Sequence, residues 1–228
     1  ESESRGLGDV YKRQMLHGEA SPAQIGAFLI AHRIRRPEPQ ELTGMLDTYR
    51  LLGPVITSRD GRPAPLCFGM PYDGRTRTAP IYPLTSLVLL TGGQPVVLQG
   101  SNRMPVKYGV TAIDLFQALG LDLRGLGLDT VQDGFHHHGF ALIHQPDHFP
   151  IAETLITYRE ELGKRPPVAS LELIWTPHHG RHLLVSGFVH PPTESRAWEA
   201  LKLAGETDLL TVKGLSLIHI SEPTRLGF

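Results

Sequence analysis

The sequence predicts an α/β protein in which a small helical subdomain precedes a domain built on a mainly parallel β-sheet. Three observations support this prediction. Residues 15 to about 52 contain two amphipathic helix patterns and no strand pattern. From residue 65 onward, short apolar strand patterns alternate with helix patterns, as in βαβ units. Polar, glycine-containing loops follow two successive strands, and such loops meet at one edge of a parallel sheet.

The N-terminal region predicts two helices. Ser21, Pro22 and Gln24 combine an N-cap, a proline at the first helical position and the glutamine of a capping box. Apolar residues then recur at helical spacing, and a second helix of the same kind begins near Pro39. Glycine and proline residues between positions 53 and 63 indicate a linker. We therefore expect a helical subdomain over residues 15–60 and an α/β domain over residues 61–215.

Helix and strand patterns continue through the rest of the chain. Thr111 and Asp114 predict a capped helix that ends at Gly120. Further helices are expected over 84–90 (as a buried helix), 151–162 and 194–203, and buried strands over 140–143, 183–189 and 209–212.

Both ends of the chain differ from its interior. Residues 1–14 and 216–228 show no apolar period that matches their neighbours, so we interpret them as non-native tails, the alternative being native disordered tails. The α/β domain is then truncated near Leu215. No apolar run reaches the roughly 20 residues that a membrane span requires. The single cysteine, Cys67, excludes an internal disulfide and favours a cytoplasmic location. Its apolar surroundings predict a buried, inert thiol.

Two loops define the predicted site. The first covers residues 69–74 and follows an apolar strand pattern, and the second covers residues 99–103 and follows residues 95–98. Because the carboxyl ends of parallel strands share one edge of a sheet, a binding site is expected between these loops.

Several collinear segments resemble the anthranilate phosphoribosyltransferase family, glycosyltransferase family 3, which also includes pyrimidine nucleoside phosphorylases. GEASPAQIGAFLIAHRIRRPEPQELTGML is similar to its N-terminal helical domain, and PVVLQGSNR stands where the family has a PVVKHGNR-type loop. TAIDLFQALG, GFALIHQPDHFP, TYREELGKRPP and LLVSGFVHP continue the likeness. The resemblance implies a helical domain beside an α/β domain, an active site in the cleft, and a homodimer formed through the helical domain.

The resemblance also implies an activity: transfer of a phosphoribosyl group from phosphoribosyl pyrophosphate to an aromatic acceptor with Mg²⁺, as in tryptophan biosynthesis. The family's acidic magnesium pair would fall just beyond Leu215. Arg159 matches the arginine that faces the carboxylate of the acceptor, although it could equally be a solvent-facing residue of an amphipathic helix. The positions implied to bind substrate are Gly69, Asp73, Gly74, Gly100, Ser101, Asn102, Arg103 and Arg159.

The phosphate-binding motif departs from that family pattern. The family's GTGGD loop, whose backbone N–H groups hold pyrophosphate, is replaced here by GMPYD, in which Pro71 removes one N–H donor. Leu98 and Gln99 replace a lysine and a histidine, and a lysine at a pyrophosphate contributes about 1.5–3 kcal/mol. Residues 80–83 also replace a phosphate-binding helix start. These changes predict that ordinary anthranilate turnover is lost.

The departures resemble a divergent paralogous branch, some members of which are associated with nucleic-acid binding. The formal net charge of −1 gives no global case for that function, so only a local basic patch could supply it. A second hypothesis is therefore a non-enzymatic binder of nucleic acid or another polyanion, with ordinary solvated surface charges as the alternative. The candidate residues are Arg75, Arg77, Arg103 and Lys107, with Arg33, Arg35 and Arg36 on the helical hairpin.

Twelve histidines raise the question of a metal site. Adjacent side chains at 136–138 point in different directions on a helix or a strand, so this run has poor spacing for metal ligands. No cysteine or tightly placed carboxylate completes a set. The sequence therefore assigns no metal ligands, and the histidines are expected on the surface or in loops.

Overall fold

The helical subdomain forms as predicted. The structure is a computed structural model that describes residues 6, 13–76, 80–188, 190–213 and 225–227. Its first two named helices are α1 (Pro22–Arg35) and α2 (Pro39–Leu52). Ser21 Oγ accepts a hydrogen bond from the backbone of Gln24, and Gln24 Oε1 accepts one from Ser21 N at 2.8 Å. The predicted capping box is thus confirmed.

A six-stranded sheet organises the α/β domain. Its spatial order is β4-β3-β2-β6-β7-β8, and all neighbours are parallel except β7 and β8. A second parallel pair joins the two-residue strands β1 and β5. The mainly parallel sheet that the βαβ pattern predicted is confirmed. The strands are β1 (Ile56–Thr57), β2 (Leu66–Gly69), β3 (Val96–Gly100), β4 (Phe140–His144), β5 (His178–His179), β6 (Leu183–Phe188), β7 (Leu209–Lys213) and β8 (Arg225–Gly227).

The helices of the α/β domain differ in places from the expectation. The helix predicted over 151–162 is broken into α7 and α8 and is closed by Gly163 in the left-handed conformation. Helix α5 has no counterpart in the prediction. The helices are α3 (Tyr82–Thr91), α4 (Ala112–Ala118), α5 (Leu128–His138), α6 (Gln145–His148), α7 (Pro150–Glu153), α8 (Ile156–Leu162), α9 (Leu171–Ile174) and α10 (Pro191–Leu203), with a 3₁₀ turn over Pro167–Ser170.

The prediction of a buried helix over 84–90 is wrong. In α3 only Pro83 and Ser86 are buried, whereas Leu84 and Val88 are 49% and 69% exposed. This segment is apolar on all sides, so its sequence carries no periodic signal that separates a core face from an outer face. Within the described part of the chain, no helix is long and apolar enough to cross a membrane.

The two faces of the sheet pack against different helices. One apolar cluster joins α1 and α2 to β2, β3 and β4 and includes Trp175, Phe149 and Tyr49. The other covers the opposite face and includes Phe68 and Phe116. Helix α2 also packs along α10, where Thr43 Oγ1 donates to the carbonyl oxygen of Ala200 at 3.0 Å. The helical subdomain therefore shares a core with the sheet, and the two form one continuous body.

Candidate functional site

The first predicted loop leaves β2 at Gly69 and turns inward. A Cβ atom at Gly69 would overlap the carbonyl group of Leu173 in α9, so the strand end passes directly against that short helix. Tyr72 is 3% exposed and Asp73 is fully buried. The backbone N–H of Tyr72 donates a hydrogen bond of 2.8 Å to Glu172 Oε2. This loop thus closes around a tyrosine ring and directs one of its amides to a carboxylate of the protein itself.

A set of charged side chains, here called the buried ion cluster, lies beside this loop. Arg159 Nη2 pairs with Glu172 Oε1, and Arg165 Nη2 lies 3.6 Å from Glu172 Oε2. Asp73 Oδ2 lies 3.6 Å from Arg165 Nε and 3.5 Å from Lys107 Nζ. Each carboxylate therefore faces two cations. The carboxylates are thus paired with cations of the protein itself, while both oxygens of Asp73 and two nitrogens of Arg165 form no hydrogen bond among the described residues.

Arg159 stays cationic within this cluster. Burial, followed by the charge of Arg165, lowers the pKa of its guanidinium to about 10, and the charge of Asp73 opposes that shift. A pKa of that size leaves the side chain protonated at neutral pH. Arg159 is only 3% exposed, so its interpretation as a solvent-facing residue is wrong. Its predicted role toward an acceptor carboxylate stays a prediction, and in this structure the group pairs with Glu172.

The two predicted loops are joined to each other. Arg75 and Val110 form an antiparallel bridge, with Arg75 N donating to Val110 O at 3.0 Å and Val110 N donating to Arg75 O at 2.8 Å. Gly74 has φ of +67°, and a Cβ atom there would lie 2.5 Å from Val110 O. Glycine is thus required both for the conformation and for the close approach. The second loop and the chain after it form one wall of the cleft.

Part of the predicted basic rim lies on this wall. Arg75, Arg103 and Lys107 are all exposed. The guanidinium of Arg103 donates to the carbonyl oxygen of Tyr108 at 3.2 Å from Nε and at 2.7 Å from Nη2. The bridge between Arg75 and Val110 brings the first loop to the same segment. Arg77, the fourth candidate, lies outside the described residues.

Polar side chains at the ends of β3 and β4 form a separate network. Asn102 Oδ1 accepts from Arg124 Nε at 3.1 Å and lies 3.1 Å from His144 Nε2. Ser101 Oγ donates to a carboxylate oxygen of Glu153 at 3.2 Å. His144 Nδ1 lies 2.6 Å from Asp147 Oδ2. Both loop residues are therefore held by the protein's own side chains.

Asp147 is electrostatically stabilised in that network. Burial acts to raise the pKa of its carboxyl group, but hydrogen bonds from His144 and from the backbone N–H of Gly125 outweigh burial and lower the pKa below its usual value. The distance from Gly125 N to Asp147 Oδ2 is 2.7 Å. The carboxylate thus remains ionised well into the acidic range.

The residues implied to bind substrate are brought together at one edge of the sheet, but the side chains that occupy the cleft were missed. Tyr72, Arg165 and Glu172 were not among the predicted site residues. Glu172 belongs to the apolar stretch LELI, whose pattern gives no sign that its one carboxylate faces a buried arginine. The substrate-binding role of the residues at this edge stays a prediction. They are Gly69, Asp73, Gly74, Gly100, Ser101, Asn102 and Arg103.

The positions that replace the family's lysine and histidine are parts of the core. Leu98 is fully buried in the apolar cluster on the outer face of the sheet. Gln99 is 2% exposed, and its Nε2 donates to the carbonyl oxygens of Trp175 and, at 3.3 Å, Glu172. The Gln99 side chain thus holds the segment that carries Glu172, and it does not face an anion-binding position.

The expectation that the histidines lie on the surface or in loops is wrong for four of them. His32 is 7%, His144 2%, His178 6% and His182 9% exposed. His144 ends a buried strand, and the signal was present in the run FALIH. Cys67 is buried as predicted, and this burial raises the pKa of its thiol to about 12.

Comparison with known proteins identifies the scaffold. The helical bundle domain of the glycosyl transferase family matches residues 13–53. An anthranilate phosphoribosyltransferase of Nitratidesulfovibrio vulgaris is 30% identical over 207 residues, covering 90% of this chain and 57% of that protein. The corresponding enzyme of Afipia carboxidovorans is 28% identical over 92% of this chain and 61% of its own length. An uncharacterized protein of Aquifex aeolicus is 28% identical over 89% of this chain and 60% of that protein.

Solved structures give the same result for the fold. The anthranilate phosphoribosyltransferase of Thermus thermophilus superposes with a TM-score of 0.77 at 23% identity, over 92% of this chain and 62% of that one. The Saccharomyces cerevisiae enzyme in complex with phosphoribosyl pyrophosphate and Mg superposes with a TM-score of 0.74 at 14% identity, over 92% and 61%. The chain spans about three fifths of the length of the curated relatives it matches. The helical domain, the collinear relatives and the shared fold together support assignment of this chain to the anthranilate phosphoribosyltransferase family, glycosyltransferase family 3.

Proposed function

We propose that the outer surface of the wall beside the two loops binds a polyanion such as single-stranded nucleic acid, on a phosphoribosyltransferase scaffold that does not turn over phosphoribosyl pyrophosphate. One observation carries this proposal. The loop that corresponds to the family's pyrophosphate cradle gives the N–H of Tyr72 to Glu172 and buries the tyrosine ring. A pyrophosphate at that position would compete with a charge-assisted hydrogen bond that is already made.

Charge inside the cleft supports the same proposal. Asp73 and Glu172 are buried carboxylates, and a pyrophosphate beside them would add further negative charge at short range. The cations around them, Arg159, Arg165 and Lys107, already pair with those carboxylates. An extended polyanion avoids this repulsion because its phosphates can follow the outer surface of the wall.

The outer surface offers cations of the required kind. Arg75, Arg103 and Lys107 are exposed along one segment, although Lys107 also lies near Asp73. Contacts between such side chains and phosphates give affinity without reading sequence, and they release counterions. Binding is therefore expected to be insensitive to base sequence and to weaken steeply as salt is added.

The test is a salt titration of binding to a fluorescently labelled single-stranded oligonucleotide, followed by anisotropy. For single strands, the logarithm of the binding constant falls with the logarithm of salt concentration by about 0.7 per phosphate contacted. Replacing Arg75, Arg103 and Lys107 together by glutamine should therefore reduce that slope by about 2.

The matched control removes the same charge from the other side of the molecule. Arg59, Arg62 and Arg181 are exposed near the amino ends of the strands, and their replacement by glutamine should leave both slope and affinity nearly unchanged. Equal losses in the two triple variants, or no binding by the parent chain at low salt, would exclude the proposed surface.

A second candidate is magnesium-dependent phosphoribosyl transfer to an aromatic acceptor, as in tryptophan biosynthesis. It is supported by the likeness to the yeast enzyme that binds phosphoribosyl pyrophosphate and Mg. In this candidate, Gly69, Asp73, Gly100 and Asn102 line the phosphoribosyl site and Arg159 holds the acceptor. A cytoplasmic homodimer joined through α1 and α2 belongs to the same proposal.

The residues at hand do not form a magnesium site. Asp73 and Glu172, the buried carboxylates of the cleft, each contact two cationic side chains within the described structure. Magnesium prefers oxygen ligands that are not already neutralised. Among the described residues, these two carboxylates are therefore not available as magnesium ligands.

Calorimetry separates the two candidates. Titration of the chain with phosphoribosyl pyrophosphate and Mg²⁺ should show no micromolar binding if the polyanion proposal is right. A saturable isotherm that is lost in an Asp73→Asn variant would instead favour the transferase.

A further inference from the structure

A second polar cluster lies at the other side of the core, away from the two loops. Cys67, in β2, and the two histidines His178 and His182 each offer a ligand atom, and these atoms lie within 4.8 Å of one another. All three residues are at least nine-tenths buried. The fold brings them together because β2 pairs in parallel with β6, which begins directly after His182. Cys67 is more than 100 positions away from either histidine, so no local pattern indicates this set.

Hydrogen bonds orient both imidazole rings. Ser58 Oγ lies 2.8 Å from His178 Nε2, which leaves Nδ1 as the free ring nitrogen. That Nδ1 atom is buried and has no hydrogen-bond partner among the described residues. His182 Nδ1 lies 2.8 Å from the carbonyl oxygen of Gly180, which leaves Nε2 for the cluster. Metal-binding histidines are commonly fixed in this way through their second nitrogen.

A fourth donor stands beside the three. Glu206 Oε2 lies 3.2 Å from His182 Nε2, while its other oxygen pairs with Arg50. A thiolate, two neutral imidazoles and a carboxylate together carry two negative charges, which match a divalent cation. This combination of nitrogen, sulfur and oxygen ligands is one that zinc accepts in tetrahedral sites.

We propose that Cys67, His178, His182 and Glu206 bind one Zn²⁺ ion, a site that is separate from the phosphoribosyltransferase cleft. Tetrahedral zinc places its ligand atoms about 3.3–3.8 Å apart, so the ligand atoms of Cys67, His178 and His182 have to approach one another by about 1 Å, and the Glu206 carboxylate has to move in toward them from its contact with His182. The Cys67 thiol gives up its proton when the metal binds, as metal-bound cysteines do. The ion would then tie β2, β5, the start of β6 and the end of α10 into one unit.

An entry path adjoins the cluster. A cavity of about 180 Å³ is lined by Ser58 and Phe135, and both of these residues contact His178. The cavity is also bordered by exposed residues, including Arg59 and His138, so it opens toward solvent. The cavity therefore brings solvent to within one residue of His178.

The test uses the full 228-residue chain after treatment with a chelator. Titration with Co²⁺ should give one equivalent of binding, with thiolate-to-cobalt charge transfer and the intense visible bands of tetrahedral coordination. Zn²⁺ should displace the cobalt stoichiometrically and raise the melting temperature. A folded parent chain that shows no cobalt–thiolate absorption would overturn the proposal.

Variants assign the ligands. Cys67→Ser, His178→Gln and His182→Gln should each abolish stoichiometric binding, whereas His179→Gln, in the exposed neighbour of His178, should leave it unchanged. Ser58→Ala keeps every ligand but removes an orienting hydrogen bond, so it should weaken zinc affinity by about 10–100-fold. The Ser58→Ala variant therefore still tests the proposal if a variant that lacks a ligand fails to fold. Unchanged affinity in Ser58→Ala, or binding that disappears only when His136–His138 are replaced, would overturn the assignment.

Discussion

The two ends of the strands solve the problem of buried polar groups in opposite ways. At the carboxyl ends, Asp73 and Glu172 are charged and each faces two cations. At the amino ends, Cys67, His178 and His182 approach one another, and two imidazole nitrogens, His178 Nδ1 and His182 Nε2, have no hydrogen-bond partner in the described structure. The first region pairs each carboxylate with cations of the protein, although both oxygens of Asp73 and two guanidinium nitrogens of Arg165 form no hydrogen bond in the described structure. The second region contains ring nitrogens that have no hydrogen-bond partner, so a metal ion can bind to them.

One glycine in each region is required, but for a different physical reason. Gly69, at the end of β2, is needed for space, because Leu173 lies against it. Gly139, before β4, is needed for conformation, because it closes α5 at φ of +74°. The crowded region therefore resists added volume, whereas the more open one resists an L-residue in the left-handed conformation.

The largest effect is expected from breaking the buried ion cluster. Glu172→Leu leaves Arg159 buried without its carboxylate and leaves the N–H of Tyr72 without its acceptor. Loss of one member of a buried pair costs about 3–5 kcal/mol. Urea unfolding monitored by circular dichroism should show a loss of that size in the free energy of unfolding.

A double variant tests the reason for this loss. Arg159→Met combined with Glu172→Leu removes both charges, and replacement of a whole buried pair by apolar residues is often neutral or stabilising. Most of the lost stability should therefore return. If the double variant is as unstable as the single one, packing or the Tyr72 hydrogen bond, rather than the unpaired arginine, accounts for the effect.

The next effect concerns space at the end of β2. Gly69→Ala forces a methyl group against the backbone of Leu173, and overpacking of this kind typically costs about 1–3 kcal/mol. Gly100 ends the neighbouring strand β3, and a Cβ atom there meets nothing within 4 Å. Gly100→Ala is therefore a matched control with little expected change. Equal unfolding free energies for the two variants would show that the first loop is not packed as described.

A smaller effect is expected at the amino ends. Gly139→Ala places an L-residue in the left-handed conformation, at a cost of about 1–2 kcal/mol. Asparagine tolerates that conformation better than alanine, so Gly139→Asn should be the milder change. At Gly69 the order should reverse, because asparagine is larger. Thermal denaturation of the four variants would reveal whether conformation and space separate as expected; the same order at both sites would remove the distinction.

Local patterns were enough to predict most of the scaffold. The capping boxes at Ser21 and Thr111 are both present, because each depends only on residues three positions apart. The parallel sheet followed from the alternation of strand and helix patterns. Helix α5 was missed because its sequence, LDTVQDGFHHH, contains glycine and poor helix formers, and its apolar face rests on only Val131 and Phe135.

The site was less predictable because it depends on contacts between distant segments. The loops themselves could be located, since strand ends are a local signal. The pairing of Tyr72 and Arg159 with Glu172 joins segments of the chain that carry no common motif. The approach of Cys67 to His182 depends on the register between β2 and β6, which no local pattern encodes.

The smallest effect tests whether charge at the carboxyl ends contributes to stability outside the buried cluster. Asp147 accepts from Gly125 N and contacts His144 Nδ1, and its pKa is lowered in the folded protein. A carboxyl group with a lowered folded pKa stabilises the protein above its unfolded pKa of about 3.9, and this contribution is lost as the pH falls through the folded value. Because the group is partly exposed, the contribution should be about 1 kcal/mol.

Asp147→Asn should therefore be less stable than the parent chain at neutral pH, and the difference should shrink as the pH falls below about 3.9. Urea unfolding of both chains across that pH range measures the difference directly, since the other carboxyl groups are common to both. If the difference in unfolding free energy is instead constant with pH, the hydrogen bond to Gly125 acts through its geometry rather than through the charge of Asp147. At this edge, only the buried ion cluster would then contribute stability that depends on ionisation.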